Sequence, residues 1–262
     1  MGRPDYVERY AIKTSHIPLN QPHREPDEWD NIPEWSQVVT STYSMSEDEW
    51  KKMNLFSYVV QAYHHMGILQ FFALYLYNEG ICSYKDFYTG LLDHFLANPE
   101  TVAGKVFYKI SGYLDKVLEE RGTLSCCDER FGKVQWPFEE YAYLCTVYES
   151  DKFYDEIVDF LKRFNIDGTV FDELLKFQRS IIKKPYDTHI TITSKYDFLD
   201  YFNKLLDGKT AALVKNDVTA ELCLRPFGSW EMYAKVVVWY GRKDSSCTYI
   251  RQAQLKRSNN NG

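Results

Sequence analysis

From Asn54 to Asn78 the chain carries no Asp, Glu, Lys or Arg. A stretch that long without charge must be buried, span a membrane or face a shaped cavity. A helix start signal precedes it. Ser46 offers an N-cap hydroxyl, and Glu49 stands three residues on, as a capping box requires. The run is long enough to cross a bilayer, but it holds Ser57, Gln61, His64, His65 and Gln70, and Gly67 interrupts it. Two adjacent histidines near a bilayer centre would be costly on a lipid-facing helix. The better reading is a pair of helices joined near Gly67 and buried in a bundle, with no membrane partner.

The bulk balance agrees with that reading. Among 262 residues, 26% are charged and 45% hydrophobic, as in a globular protein able to bury a real core. The formal net charge of −6 argues against a nucleic-acid partner, which would need a basic face. The start of the chain, Met1-Gly2-Arg3-Pro4-Asp5, is not the apolar run of a signal peptide. A cytoplasmic location is therefore expected, with the six cysteines as reduced thiols.

Four segments follow from patterning. Residues 1–44 hold five of the nine prolines and read as an extended arm. Its apolar residues (Ile12, Ile17, Leu19, Trp29, Trp35) are too sparse for a core of their own, and the run 38–42 is β-prone. Residues 45–184 read as about seven antiparallel helices with short connections. Their starts are placed at Ser46, Ile68, Tyr84, Asn98-Pro99, Trp136-Pro137, Asp151 and Thr169. Residues 185–257 read as a small α+β segment with an antiparallel sheet. Within it, strands are expected at 189–194, at 231–240 and at 247–255. A hairpin of 211–214 with 218–224 is expected too, and a short helix at 197–206. Residues 258–262 read as a disordered tail. The fold class is thus mainly α, a helical bundle followed by a small α+β segment.

The candidate site lies on the first helix. At 100° per residue, Asn54, Ser57, Tyr58, Gln61, His64 and His65 fall on one arc. That arc is polar yet uncharged, whereas exposed helix faces normally carry Lys and Glu. Asn54, Ser57, Gln61, His64 and His65 form the candidate ligand-binding set, with Gln61 and His64 foremost. The plain alternative is a sheltered face whose polar groups are satisfied by hydrogen bonds.

No metal site is nominated. Adjacent histidines point about 100° apart on a helix, and the vicinal pair Cys126-Cys127 lacks the usual zinc spacing. No phosphate loop, Gly-x-Ser-x-Gly, His-Glu-x-x-His or Cys-x-x-x-Cys-x-x-Cys motif occurs, and no catalytic residue is nominated.

The order of several segments resembles a known family. They are PDYVERYAIKTSHIPL, VVTSTYSMSEDEWKKMNLFSYVVQAYHHMGILQFFALYL and CSYKDFYTGLLDHF, then WPFEEYAYL, DKFYDEIVDFL, FDELLKFQRSIIKKP and KYDFLDYF. This order resembles the C-terminal region of cobalamin-binding-domain radical S-adenosylmethionine proteins. The resemblance implies a context of S-adenosylmethionine, an iron–sulfur cluster and cobalamin, all held by upstream domains. It implies that this chain binds none of them, is non-catalytic alone, and helps shape a substrate site or dock a catalytic radical core. The prolines, Trp29 and Trp35 of the arm would then lie against that partner. A self-contained module for a small ligand or a protein, using the uncharged arc and the abundant aromatic side chains, is the second expectation. An enzyme with an unrecognised site is the third.

Overall fold

The computed structural model describes residues 4–19, 22–23, 34–224, 226–239 and 254–255. Ten α-helices and seven strands lie among them, so the fold is mainly helical with small antiparallel sheets.

The described residues among 4–41 are not simply extended. Helix α1 (Pro4–Arg9) leads into strand β1 (Lys13–Pro18), which pairs antiparallel with β2 (Trp35–Ser41). Pro4 at the first helical position costs no hydrogen bond there. The pair rests on the helical body. Ile17 is buried in the common core, and the buried Ser15 hydroxyl donates to the Val117 carbonyl at 2.5 Å. Trp29 lies outside the described residues.

The helical body follows. It contains α2 (Glu47–Val59), α3 (Gln70–Asn78), α4 (Tyr84–Ala97), α5 (Val102–Leu118), α6 (Phe138–Tyr148), α7 (Ser150–Leu161) and α8 (Gly168–Ser180). The capping box forms as its residues require: Ser46 Oγ accepts from the Glu49 N–H, and the Glu49 carboxylate accepts from the Ser46 N–H. Other starts differ from expectation, because nearby side chains compete to cap. Thr101, not Asn98, caps α5 by accepting from the Gly104 N–H. Asp167 caps α8 ahead of Thr169. Asp151 lies inside α7 and pairs with Lys184 at 2.8 Å. Around Cys126, β3 (Ser125–Cys127) pairs antiparallel with β4 (Gln135–Pro137).

Beyond residue 185, β5 (His189–Tyr196) pairs antiparallel with β6 (Lys215–Cys223), and β6 with β7 (Gln254–Leu255). Ile190, Ile192, Val218, Ala220 and Leu222 point inward at alternate positions. Helix α9 (Phe198–Leu206) packs Phe198 and Phe202 against Phe177 of α8. The expected hairpin of 211–214 with 218–224 does not form. Lys215 begins one long strand, and the Val214 carbonyl accepts from the Asp197 N–H instead.

Residues 231–239 are helical, not a strand: α10 (Trp230–Tyr233) continues as a π-helical turn, Ala234–Trp239. Ser229 caps it through the Met232 N–H. Tyr233, Ala234, Val237 and Val238 are buried, which is helical spacing, while Met232 faces out. Of the strand expected at 247–255, Gln254–Leu255 is described. Tyr240, Cys247 and the tail at 258–262 lie outside the described residues.

Candidate functional site

The charge-free run starts as an ordinary α-helix and then changes pitch. After Val59 the chain continues as a π-helical turn, Val60–His65. Its i→i+5 bonding is seen where the Met66 N–H donates to the Gln61 carbonyl at 3.0 Å. Such turns are uncommon and concentrate at functional sites. The extra residue re-aims the side chains beyond it, so an arc drawn at a constant 100° does not describe this face. Ser57 and His65 are exposed, Asn54, Gln61 and His64 half-buried, and Tyr58 is buried.

Asn54, Ser57, Gln61 and His64 each have a hydrogen-bond partner. The Asn54 amide donates to the Trp50 carbonyl at 2.8 Å, and the Gln61 amide to the Ser57 hydroxyl at 3.1 Å. The His64 Nδ1 shares a hydrogen bond with the Tyr88 hydroxyl at 2.8 Å. Burial, aided by the neighbouring His65, holds His64 down to about 4, so its ring is neutral at pH 7. Burial pushes the Tyr88 hydroxyl well above the ordinary tyrosine range, so it keeps its proton. With Nδ1 engaged by Tyr88, the other ring nitrogen is a single donor or acceptor, according to tautomer.

Three rings complete this corner. Tyr84 meets His64 edge-on at 5.6 Å, and Tyr77 stacks on Tyr84 at 4.4 Å. His65 meets His64 edge-on at 5.3 Å. Reading α2 alone misses Tyr77, Tyr84 and Tyr88. The i,i+4 spacing of Tyr84 and Tyr88 places them on one face of α4, but nothing in it says which residue they meet. The corner can offer neutral hydrogen bonds beside aromatic faces. Two clefts lie elsewhere: one of about 500 Å³ along α8 (Asp172, Leu175, Lys176, Arg179, Ser180) and one of about 250 Å³ where Glu173 and Lys176 face β5 and β6.

The thiols form a separate cluster. Cys126 is buried in β3, and the buried Cys145 thiol of α6 lies 3.4 Å from the Arg130 guanidinium. Burial pushes the Cys145 thiol up to about 11 and the Cys126 thiol higher still, so both stay protonated. Among the described residues no group of three or more His, Cys, Asp or Glu could hold a metal ion. No helix among them is long and apolar enough to cross a membrane.

No family model matches the chain. The chain is similar to two methyltransferases. It is 25% identical over 254 residues to 2-(S-pantetheinyl)-carbapenam-3-carboxylate methyltransferase of Streptantibioticus cattleyicolor, a match covering 90% of this chain and 36% of that protein. It is 22% identical over 220 residues to the cobalamin-dependent radical SAM methyltransferase TokK of Streptomyces tokunonensis, covering 77% of this chain and 32% of TokK. The chain thus spans about a third of the length of the curated relatives it matches.

Proposed function

We propose that this chain is an accessory module of a cobalamin-dependent radical S-adenosylmethionine methyltransferase, equivalent to its C-terminal region and non-catalytic alone. One observation carries this reading. The matches cover 90% and 77% of this chain but 36% and 32% of the relatives, so the likeness is to one part of each relative. The chemistry of S-adenosylmethionine, cluster and cobalamin belongs to the remainder. The module's task is to shape the substrate side of the catalytic core or to dock it.

The test is co-expression with a cobalamin-dependent radical S-adenosylmethionine core that carries the three-cysteine cluster motif. Stable co-elution, with methyl transfer that needs both parts, supports the reading. A wild-type chain that elutes apart from that core removes it.

A second reading is a self-contained binding module, and the π-helical turn under Gln61 and His64 favours it. There the ligand face is Asn54, Ser57, Gln61, His64 and His65, with His64 hydrogen-bonding the ligand through its second ring nitrogen. Titrating small neutral ligands while following the His64 ring protons by NMR separates the two. Saturable shifts with no radical core present favour this second reading.

A further inference from the structure

Helix α1 departs from the other nine α-helices among the described residues. Each of those buries at least one side chain, whereas none of the six residues of α1 is buried. A helix this short has no stability of its own, because nucleation is not repaid below roughly 12–15 residues. Proteins hold short helices by burying a face. Here Tyr6 is 51% exposed and Val7 is exposed beside it.

Exposed Tyr6 and Tyr43 flank the half-buried Tyr10. Tyr6 lies 5.4 Å from Tyr10, and Tyr10 stacks on Tyr43 at 6.0 Å and 27°. The Tyr43 N–H donates to the Tyr10 carbonyl at 2.9 Å, which locks the two segments together. Tyr43 itself is 72% exposed. The face is therefore a row of three tyrosines with Val7 alongside, bordered by Asp5, Glu8 and Arg9. Large rings with few rotors and a polar rim are the side chains that interfaces favour over free surface.

We propose that the Tyr6–Tyr10–Tyr43 row with Val7 is the docking surface for the catalytic radical S-adenosylmethionine core. This rests on the accessory-module reading above. The occupant is argued from the relatives. In them, a stretch like this chain makes up about a third of the polypeptide, and a module in such a polypeptide shares a face with the rest. Among the described residues α1 is the α-helix that buries no side chain, so its face is free to meet that rest. A second copy of this chain is the weaker occupant, since each copy carries a formal charge of −6 and like charge opposes association.

The experiment uses the full chain and, as a separate polypeptide, a cobalamin-dependent radical S-adenosylmethionine core carrying the three-cysteine motif. Binding is measured for wild type, for Tyr6→Asp with Tyr43→Asp, and for a control with Tyr108→Asp and Tyr186→Asp, two exposed tyrosines elsewhere. The row variant should keep the wild-type circular dichroism and melting temperature yet bind the core at least about tenfold more weakly. The control should bind as wild type does. A folded row variant that binds with wild-type affinity overturns the docking surface and leaves the accessory reading standing. A wild-type chain that does not bind the core overturns both. A wild-type dimer that the aspartates dissociate shows that copies pair on this face, which also overturns the proposal.

Discussion

The Gln178 amide clamps the turn at Gly67. Its Nε2 donates to the Gly67 carbonyl at 2.9 Å, and its Oε1 accepts from the Phe71 N–H at 3.0 Å, with the side chain fully buried. Gly67 has φ +95°, a conformation that glycine adopts at no steric cost. Tyr154 adds a third tie by donating to the Ile68 carbonyl at 2.6 Å. The joint between the π-helical turn and α3 is therefore held by side chains from α7 and α8. Replacing Gln178 by Leu strands two buried backbone groups at about 1–3 kcal/mol each. We expect Gln178→Leu to lower the unfolding free energy by about 2–6 kcal/mol in urea denaturation.

His64 sets an acid-side slope. Its folded-state value of about 4 lies below the ordinary 6.5, with burial the main cause. Between those values the unfolded chain takes up a proton that the folded chain refuses. Stability therefore falls as pH drops from about 6.5 to about 4, by on the order of 3 kcal/mol at most. His94 is lowered too, first by burial and then by Arg163, so the comparison must be made against a variant. His64→Asn should flatten the curve of stability against pH within that window and leave it unchanged above pH 7. An equally steep curve in the variant would assign the slope to other groups.

Gly104 lies inside α5, where propensity alone favours alanine by about 1 kcal/mol. A Cβ there would sit 1.8 Å from the Asn98 carbonyl oxygen and 2.8 Å from Thr101 Oγ1. Neither neighbour is a flexible chain end: one is backbone and the other is the cap of this helix. Gly104→Ala should thus destabilise by about 1–3 kcal/mol, opposite in sign to the propensity effect. Thermal unfolding of the two proteins decides the sign.

The chain alone should stay colourless after anaerobic reconstitution with iron and sulfide. The described residues offer no trio of His, Cys, Asp or Glu ligands, and their two buried thiols are held protonated. A stoichiometric visible band of a four-iron cluster, with matching iron content, would contradict this.

The sequence alone determined what neighbours along the chain can decide. Ser46 and Glu49 are three residues apart, and both capping bonds form. The 3–4 spacing of Val102, Val106, Ile110, Leu114 and Val117 marks the buried stripe of α5, and the alternation around Ile190 and Ile192 marks β5. These features depend on periodicity and on hydrogen bonds spanning a few residues, so a short window contains their cause. Tertiary structure decided the rest. Residues 232–238 alternate as a strand would, yet fold as a helix, because Ser229 caps them and Tyr233 finds Tyr143 at 3.0 Å. The polar arc of α2 was legible as uncharged, but the pitch change at Val60 and the tie of His64 to Tyr88 were not. Tyr88 comes from the next helix but one, and Gln178 from 111 positions after Gly67. Such bonds carry no local signal. They form only when packing brings distant segments together and removes the water that would otherwise satisfy the same groups.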